Sequence, residues 1–385
     1  MSLHRNVRLL QWFNFFEDFR PAFPILVLYL AQQTGSYTLG MTVLSLTMLS
    51  SAAFEVPTGI LSDMVGRRRT MIMGSTAGAI GTALTALGGS FWMLGAGSVF
   101  TGISLAFFSG NNTAFLHDTL KQVGREAEYP HFLGITSALF QLGLGISALL
   151  GGFLSEHALS WAVWAGVIPQ ILCMVIAYFM IEPKHFGASS SNMFAHFKEA
   201  LRHFRHNRRL RALSMASILD FGLGQAQFLF FPAFFASLIP LWLIGGVRTM
   251  AHLLACGSYW FAGRIIKRFE AFKVLLTIKI VSSTVAICAF IINTIASPFL
   301  VSGISILFGM KIVAENSLLQ KEFTDGQRAT MGSLTQFFGS ILFGISSLGL
   351  GVLADAVGPL KTLVISEVIL LSGTWLYWKA FRAGE

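Results

Sequence analysis

Residues 55–69 read Glu-Val-Pro-Thr-Gly-Ile-Leu-Ser-Asp-Met-Val-Gly-Arg-Arg-Arg and join two long apolar runs. Gly59 has no side chain and so lets two helices approach closely. Gly66 permits a tight turn, and the arginines after it would begin the next helix. Asp63 is a carboxylate at a helix end, where it suits the positive N-terminus of a neighbouring helix. The stretch therefore predicts a tight loop between two helices that cross a membrane.

The rest of the chain has the composition of a membrane protein. Of its 385 residues, 54% are hydrophobic and 12% are charged, whereas a soluble domain carries about 25% charged residues. The mean hydropathy is +0.67. At roughly 20 apolar residues for each span, with short loops between spans, the length suits about twelve of them. We therefore predict an all-α membrane protein with twelve transmembrane helices.

Apolar runs between charged residues and glycines predict the limits of these spans. The predicted spans are 8–31, 38–60, 69–88, 91–117, 131–154, 160–181, 212–235, 239–263, 272–293, 297–319, 331–353 and 360–380. The longest hydrophilic segment, 182–211, separates a six-span bundle at 1–181 from a second at 212–385. Within this linker, apolar and basic residues recur at helical spacing, which predicts a basic amphipathic helix on the anionic membrane surface.

The charges predict the orientation and the partners of the chain. The net charge is +9, but the basic residues form short bursts in alternate loops, which argues against nucleic acid as a partner. Basic loops face the cytoplasm, so both termini are predicted to be cytoplasmic, and the short outer loops suit a bacterial inner membrane. The expected partners are the lipid bilayer and a small-molecule substrate, and a monomer is expected. The three cysteines lie in apolar runs without metal-ligand spacing.

The stretch at 55–69 resembles the signature loop between spans 2 and 3 of the major facilitator superfamily, G-x-L-x-D-x-x-G-R-R/K, with Met64 where a basic residue is common. The resemblance covers essentially the whole chain and implies two six-helix bundles that transport a solute by alternating access. It also implies that the carboxylate at 63 braces the start of span 11 and that the first arginine pairs with an acid at the inner end of span 4, where Asp118 stands. The implied gate latch, which holds the outward-open state, comprises Gly59, Asp63, Gly66, Arg67, Arg68 and Asp118.

Charged residues within the spans are candidate functional groups, because each costs at least roughly 2.5–3.5 kcal/mol at mid-bilayer. Span 1 carries Glu17, Asp18 and Arg20. Asp18 lies about 15 Å into this helix at 1.5 Å per residue, near the midplane, and burial favours its protonated form. Asp18 is therefore the first candidate for a carboxylate that takes up and releases a proton. Arg20 lies three residues after Glu17 and is predicted to pair with it.

In the superfamily fold, spans 1, 4, 7 and 10 line the central cavity. Polar residues on these spans are therefore the stronger candidates for coupling or substrate binding. Asp220 and Glu315 join the first-span carboxylates as proton-coupling candidates. The substrate-binding candidates are Asn14, Arg20, Asn111, Asn112, Gln225, Gln227, Lys311 and Arg248.

Several of these residues also have a structural interpretation. Lys311 and Glu315 are one helical turn apart and form either a transport element or a structural ion pair. Arg248 either lines the cavity or pairs with a neighbouring acid. Lys279, in span 9, is predicted to extend to the cytoplasmic surface. Glu367, in span 12, has no predicted role.

Span 5 is rich in glycine. Gly143-x-Gly145 is predicted to allow close helix packing. Exporters of the superfamily often carry a Gly-Pro step before Gly-Gly in this span. Here Gly151-Gly152 is present without the proline, which departs from the exporter pattern.

Three functions remain open from the sequence. The first is proton-coupled export of an amphipathic or cationic compound. The second is proton- or sodium-coupled import of an organic anion or zwitterion, with Arg20, Arg248 and Lys311 binding the substrate, and the third is lipid flipping on the same fold. The chain has no His-Glu-x-x-His, no Gly-x-Ser-x-Gly and no phosphate-binding loop, so neither an enzyme nor a cofactor beyond the coupling ion is predicted.

Overall fold

The computed structural model describes residues 4–184, 204, 207–322 and 328–382, and these form an almost entirely helical protein. The helices before the predicted linker are α1 (His4–Glu17), α2 (Leu26–Thr34), α3 (Tyr37–Val65), α4 (Arg67–Leu87), α5 (Phe91–Phe108), α6 (Asn111–Gln122), α7 (Tyr129–His157), α8 (Leu159–Ala165) and α9 (Val167–Phe179). Those after it are α10 (Arg208–Phe235), α11 (Leu241–Phe269), α12 (Ala271–Ile292), α13 (Ser297–Gly303), α14 (Phe308–Glu322), α15 (Arg328–Val357), α16 (Pro359–Ser372) and α17 (Thr374–Arg382). The predicted amphipathic helix of the linker falls outside the described residues.

Ten segments of the described chain are helical, long and apolar enough to cross a membrane. They coincide with ten of the predicted spans, so the chain is a multi-pass membrane protein. The other two predictions, 8–31 and 239–263, fall on α1 with α2 and on α11. The first of these is interrupted, and the second carries a buried arginine.

The contacts divide the chain into two units. One consists of Met1–Gly187 and Pro240–Thr249, and the other of Ala188–Ile239 and Met250–Glu385. The start of α11 belongs to the first unit because it packs closely on α7. A Cβ on Gly152 would lie 2.9 Å from the Cα of Gly245, and the Thr249 hydroxyl donates a 2.7 Å hydrogen bond to the carbonyl of Gly145.

The first span is broken, whereas the sequence predicted one continuous helix over 8–31. Helix α1 ends at Glu17, a short 3₁₀ helix follows at Phe23–Ile25, and α2 begins at Leu26. Pro21 and Pro24 lie in or beside the gap and cannot donate the backbone hydrogen bonds that a continuous helix needs.

Helix α7 accommodates this break through its glycines. A Cβ on Gly143 would lie 2.5 Å from the carbonyl oxygen of Phe15, and one on Gly151 would overlap the carbonyl oxygen of Pro21. Any side chain at these positions would therefore separate α7 from the broken span. The close packing predicted for the glycines of span 5 is confirmed at Gly143.

The second unit is held by a core of large and small apolar side chains. Its fully buried members include Leu210, Leu275, Ala314 and Tyr377, from four different helices. This core surrounds the charged residues of α10, α12 and α14.

Candidate functional site

The break in the first span places two carboxylates next to each other inside the first unit. Glu17 is the last residue of α1 and Asp18 follows it, and each residue is 8% exposed. The side-chain amide of Asn112, from α6, donates a 2.7 Å hydrogen bond to Glu17 Oε2 and lies 3.4 Å from Asn14 Oδ1. Together with Arg20, these residues form what we call the carboxylate cluster.

Arg20 is the cation of the carboxylate cluster. Its Nη2 lies 3.7 Å from Asp18 Oδ1, and its Nε donates a 3.2 Å hydrogen bond to the carbonyl of Glu17. The ion pair thus forms with Asp18 and not with the Glu17 side chain as predicted, because the helix ends at Glu17 and helical spacing no longer applies. Two carboxylates and one guanidinium give the cluster a formal charge of −1 when all three groups are ionised.

The three charges of the predicted gate latch meet at the loop between α3 and α4. Arg67 Nη2 lies 3.1 Å from Asp63 Oδ1, and Arg67 Nε lies 4.0 Å from Asp118 Oδ2. Ser62 accepts a 2.9 Å hydrogen bond from Arg67 Nη1 and donates one of 2.8 Å to Asn111 Oδ1. Asn111 in turn donates to the carbonyl of Arg67 at 3.1 Å. Asn111, a predicted substrate-binding residue, therefore lies with the latch.

A carboxylate that the sequence analysis did not select completes this loop. Glu182 Oε1 and Oε2 accept hydrogen bonds of 2.6 and 3.0 Å from the backbone amides of Arg67 and Arg68. Glu182 therefore caps the N-terminus of α4, where the helix dipole favours an anion. Gly66 adopts φ +98° and ψ 157°, and a Cβ there would lie 2.7 Å from the carboxyl carbon of Glu182. Only glycine satisfies both the backbone conformation and the space beside the carboxylate.

Two residues of the predicted gate latch remain, Arg68 and Gly59. The Arg68 side chain donates hydrogen bonds of 3.2 and 2.6 Å to the carbonyls of Ala177 and Tyr178, which ties α4 to the end of α9. Gly59 was predicted to permit a close helix approach. Among the described residues, no atom of a neighbouring element lies within 4 Å of a Cβ built at Gly59, so the close approach at Gly59 stays a prediction.

The second unit contains a buried set of charged side chains. Asp220, on α10, accepts a hydrogen bond of 2.5 Å from Lys279 Nζ on α12 and lies 2.8 Å from Lys311 Nζ on α14. Tyr377, on α17, donates a 3.1 Å hydrogen bond to Asp220 Oδ2. Lys279 is only 4% exposed, so the prediction that it extends to the cytoplasmic surface is wrong. A carboxylate inside the unit compensates its buried charge.

Glu315 lies at one end of this set. It is 5% exposed, and Lys311, Asp220, Ser217 and Tyr377 are the neighbours that interact with its carboxyl group. The sequence offered a Lys311–Glu315 pair on the basis of helical spacing, but the short ion pair of Lys311 is with Asp220. The carboxylate on another helix therefore takes precedence over the one on the same helix.

Glu367, which had no predicted role, lies at the other end. Gln227 Nε2 donates a 2.9 Å hydrogen bond to Glu367 Oε2, and Ser283 also interacts with this carboxylate. Lys279 is close enough to interact with it electrostatically. We call the whole set the charge network, which consists of Asp220, Lys279, Lys311, Glu315, Glu367 and Tyr377.

Two further residues that were predicted to bind substrate, Arg248 and Gln225, belong to neither the carboxylate cluster nor the charge network. Arg248 is 2% exposed and lies in the part of α11 that belongs to the first unit. Gln225 is half-buried on α10, two residues before Gln227.

Comparison with protein families gives one match over most of the chain. The family model of the Major Facilitator Superfamily matches residues 9–347. Among curated proteins, the inner membrane transport protein YajR of Escherichia coli is 28% identical over 145 residues, and the uncharacterized transporter BU466 of Buchnera aphidicola is 26% identical over 134 residues. The matched segments cover 36% and 34% of this chain, but only 31% and 33% of those relatives.

Solved structures with the same fold are also transporters. A bacterial homologue of the human lysosomal transporter Spinster, inward-facing and unoccupied, superposes with a TM-score of 0.80 at 16% identity, covering 99% of this chain and 97% of that one. A point mutant of the nucleoside transporter NupG gives a TM-score of 0.82 at 13% identity and covers both chains fully. At such identities the likeness shows the fold alone.

Proposed function

The chain belongs to the Major Facilitator Superfamily and is a membrane transporter with that fold, and on this premise we propose that it exports amphipathic organic cations across a bacterial inner membrane in exchange for protons. The observation that carries the proposal is the carboxylate cluster. Glu17 and Asp18 are buried together, and Arg20 is the one cation that the described residues place in an ion pair with them, so a second positive charge would balance the cluster. That charge is either a proton or a cationic solute.

Aromatic side chains next to the cluster favour an amphipathic solute. Trp12 packs against Phe15 and Phe16 with ring centroids 5.8 and 6.1 Å apart, and Phe15 packs against Phe19 at 5.7 Å. Trp12, Phe15 and Phe16 lie on α1, and Phe19 follows its acidic end. Ring faces attract organic cations and also accommodate apolar groups.

The direction of transport follows from competition for the same carboxylates. If a proton and a cationic solute bind Glu17 and Asp18 alternately, each transport cycle carries the solute across the membrane in one direction and the proton in the other. The proton gradient of a bacterial inner membrane points inwards, so this exchange would move the solute outwards. Alternating access, with the gate latch of Asp63, Arg67 and Asp118 stabilising one state, would separate the two binding events.

Two of the three cations predicted to bind an anionic substrate have carboxylate partners. Arg20 interacts with Asp18, and Lys311 pairs with Asp220 at 2.8 Å. An organic anion would therefore have to displace a carboxylate at either position. This favours export of a cation over import of an organic anion.

The test is proton movement in proteoliposomes. Purified protein is reconstituted with an internal pH dye, a pH gradient is imposed, and lipophilic cations, organic anions, zwitterions and a lysophospholipid are added in turn. We expect proton flux that depends on the lipophilic cations, is lost in Asp18→Asn, and persists in Glu270→Gln, a change at an exposed carboxylate. Flux with organic anions alone, sodium dependence without proton flux, or lysophospholipid movement alone would contradict the proposal.

A further inference from the structure

The carboxylate cluster of the first unit has more hydrogen-bond acceptors than donors. Glu17 and Asp18 together offer four carboxylate oxygens. Among the described residues, only Glu17 Oε2 receives a hydrogen bond, the 2.7 Å bond from Asn112 Nδ2. Arg20 Nη2 lies 3.7 Å from Asp18 Oδ1, which is longer than the about 2.7–3.2 Å of an N–H···O hydrogen bond. Arg20 therefore contributes charge to the cluster without donating a hydrogen bond to its carboxylates.

Asn112 adds a further acceptor to the cluster. Its amide nitrogen, which carries two hydrogens, lies 2.7 Å from Glu17 Oε2 and 3.4 Å from Asn14 Oδ1. Asn14 directs its own Nδ2 at the carbonyl of Leu10, 2.8 Å away, and so presents its oxygen to Asn112. Asn112 Oδ1 is buried and has no hydrogen-bond partner within the part of the chain that the structure describes.

The orientation of the Asn112 amide is fixed by these neighbours. The reverse orientation would place its oxygen against the carboxylate of Glu17 and the oxygen of Asn14, both of which are acceptors. Oδ1 and Nδ2 are bonded to the same carbon, so the unpartnered oxygen lies beside the Glu17 carboxylate. The cluster therefore combines several oxygens that lack a donor in one place.

Buried acceptors normally have a donor, and leaving them without one is unfavourable. A solute that brings several N–H groups would supply the missing donors and the missing positive charge together. The Arg20 side chain is 32% exposed, so the cluster is not closed on that side.

We propose that the transported solute is a protonated primary amine with an apolar group, and that Glu17, Asp18 and Asn112 recognise its N–H groups as well as its charge. A primary ammonium group carries three donors and no acceptor, which matches a site of acceptors. A quaternary ammonium ion has the same charge but would leave every acceptor without a donor. This assignment rests on the proposed function, because it specifies the solute of the same site.

The aromatic side chains beside the cluster have the opposite preference. Ring faces attract quaternary ammonium groups, and each added methyl group increases the apolar area that a solute can bury. Recognition through Phe15 and Phe19 alone would therefore favour a methylated amine. Stepwise N-methylation removes donors while the charge stays constant, so it separates the two modes of recognition.

Calorimetric titration of the purified protein in nanodiscs with four compounds makes this comparison. The compounds are phenethylamine and its N-methyl, N,N-dimethyl and N,N,N-trimethyl derivatives, all of them cations at neutral pH. We expect the affinity to fall with each methyl group, and the trimethyl compound to bind at least about tenfold more weakly than the primary amine, since hydrogen bonds to charged acceptors are lost. Equal affinities, or affinities that rise with methylation, would overturn the assignment but leave export of cations standing. Binding of none of the four compounds would contradict both proposals.

A pair of variants tests the part played by Asn112. Asn112→Leu removes the unpartnered oxygen at similar volume, so the primary amine should lose affinity while the trimethyl compound loses little, and the ratio between them should narrow. Thr113→Val is the matched control, because the Thr113 hydroxyl donates to the carbonyl of Gly110 at 2.9 Å and not to the cluster. It should leave the ratio as in the wild type. An unchanged ratio in Asn112→Leu would remove Asn112 from the recognition of the amine. If that variant does not fold, the methylation series on the wild type still decides between donor recognition and ring recognition.

Discussion

Replacing Gly66 with alanine should destabilise the protein by about 2–4 kcal/mol. The backbone of Gly66, at φ +98° and ψ 157°, lies in a region essentially restricted to glycine, where other residues cost about 1–3 kcal/mol. The added Cβ would also lie 2.7–2.8 Å from the carboxyl atoms of Glu182. The carboxylate would have to leave the two amides that it caps, and losing a cap costs about 1 kcal/mol.

Two further variants separate these contributions. Glu182→Ala removes the cap alone and should cost about 0.5–2 kcal/mol. When Glu182 is already alanine, Gly66→Ala costs only the free energy of the backbone strain. The double variant should therefore be more stable, by about 1 kcal/mol, than the sum of the two single changes predicts. Gly59→Ala is the matched control, because no described neighbour lies within 4 Å of its Cβ. It should be neutral or stabilising by up to about 1 kcal/mol.

Thermal unfolding in detergent, followed by the fluorescence of the eight tryptophans, measures these differences. Gly66→Ala should unfold first, and Gly59→Ala no earlier than the wild type. If Gly66→Ala unfolded together with Gly59→Ala, neither the backbone conformation nor the contact with Glu182 would matter as argued. Strict additivity of the changes at 66 and 182 would show that the carboxylate does not occupy the space beside Gly66.

Three other changes have defined outcomes. Lys279→Met should cost about 1.5–3 kcal/mol in thermal unfolding, because it removes a buried hydrogen bond between charged groups while Lys311 still pairs with Asp220; a loss below about 1 kcal/mol would contradict the ion pair. Gly151→Ala puts a Cβ into the space of a backbone carbonyl of the broken span, and should cost about 1–3 kcal/mol by overpacking while reducing transport. Asp63→Asn should slow transport but retain solute binding, measured by calorimetry, and normal transport by this variant would exclude the latch from the cycle.

The sequence predicted those features that depend on neighbouring residues. The loop at 55–69 carries its turn and its arginines within a few positions, and hydropathy alone located ten helices. The gate latch could be predicted because the family resemblance indicated the distant Asp118 as a partner of Arg67. Glu182 could not be predicted, because it lies 115 positions from Arg67 and, in sequence, is simply the first charge after an apolar run.

Pairing inside the second unit was harder to predict for the same reason. A lysine within an apolar run gives no sign of the helix face on which its partner lies, so Lys279 was assigned to the membrane surface. Its partner Asp220 lies 59 positions earlier. Likewise Lys311 has an acid one turn away on its own helix, and only the packing of α10 against α14 reveals that Asp220 is the closer partner.

Four of the five glycines of α7 lie on two opposite sides of the helix. Gly143 and Gly151 contact the broken first span, while Gly145 and Gly152 contact the start of α11. At Gly143, Gly151 and Gly152 a Cβ would meet backbone atoms of the neighbouring segment, and at Gly145 the neighbour is the Thr249 side chain. A shift of the segment that carries Asp18 would therefore displace α7 directly, and α7 would in turn displace the start of α11. The start of α11, which belongs to the first unit, is therefore the next element that such a shift would reach.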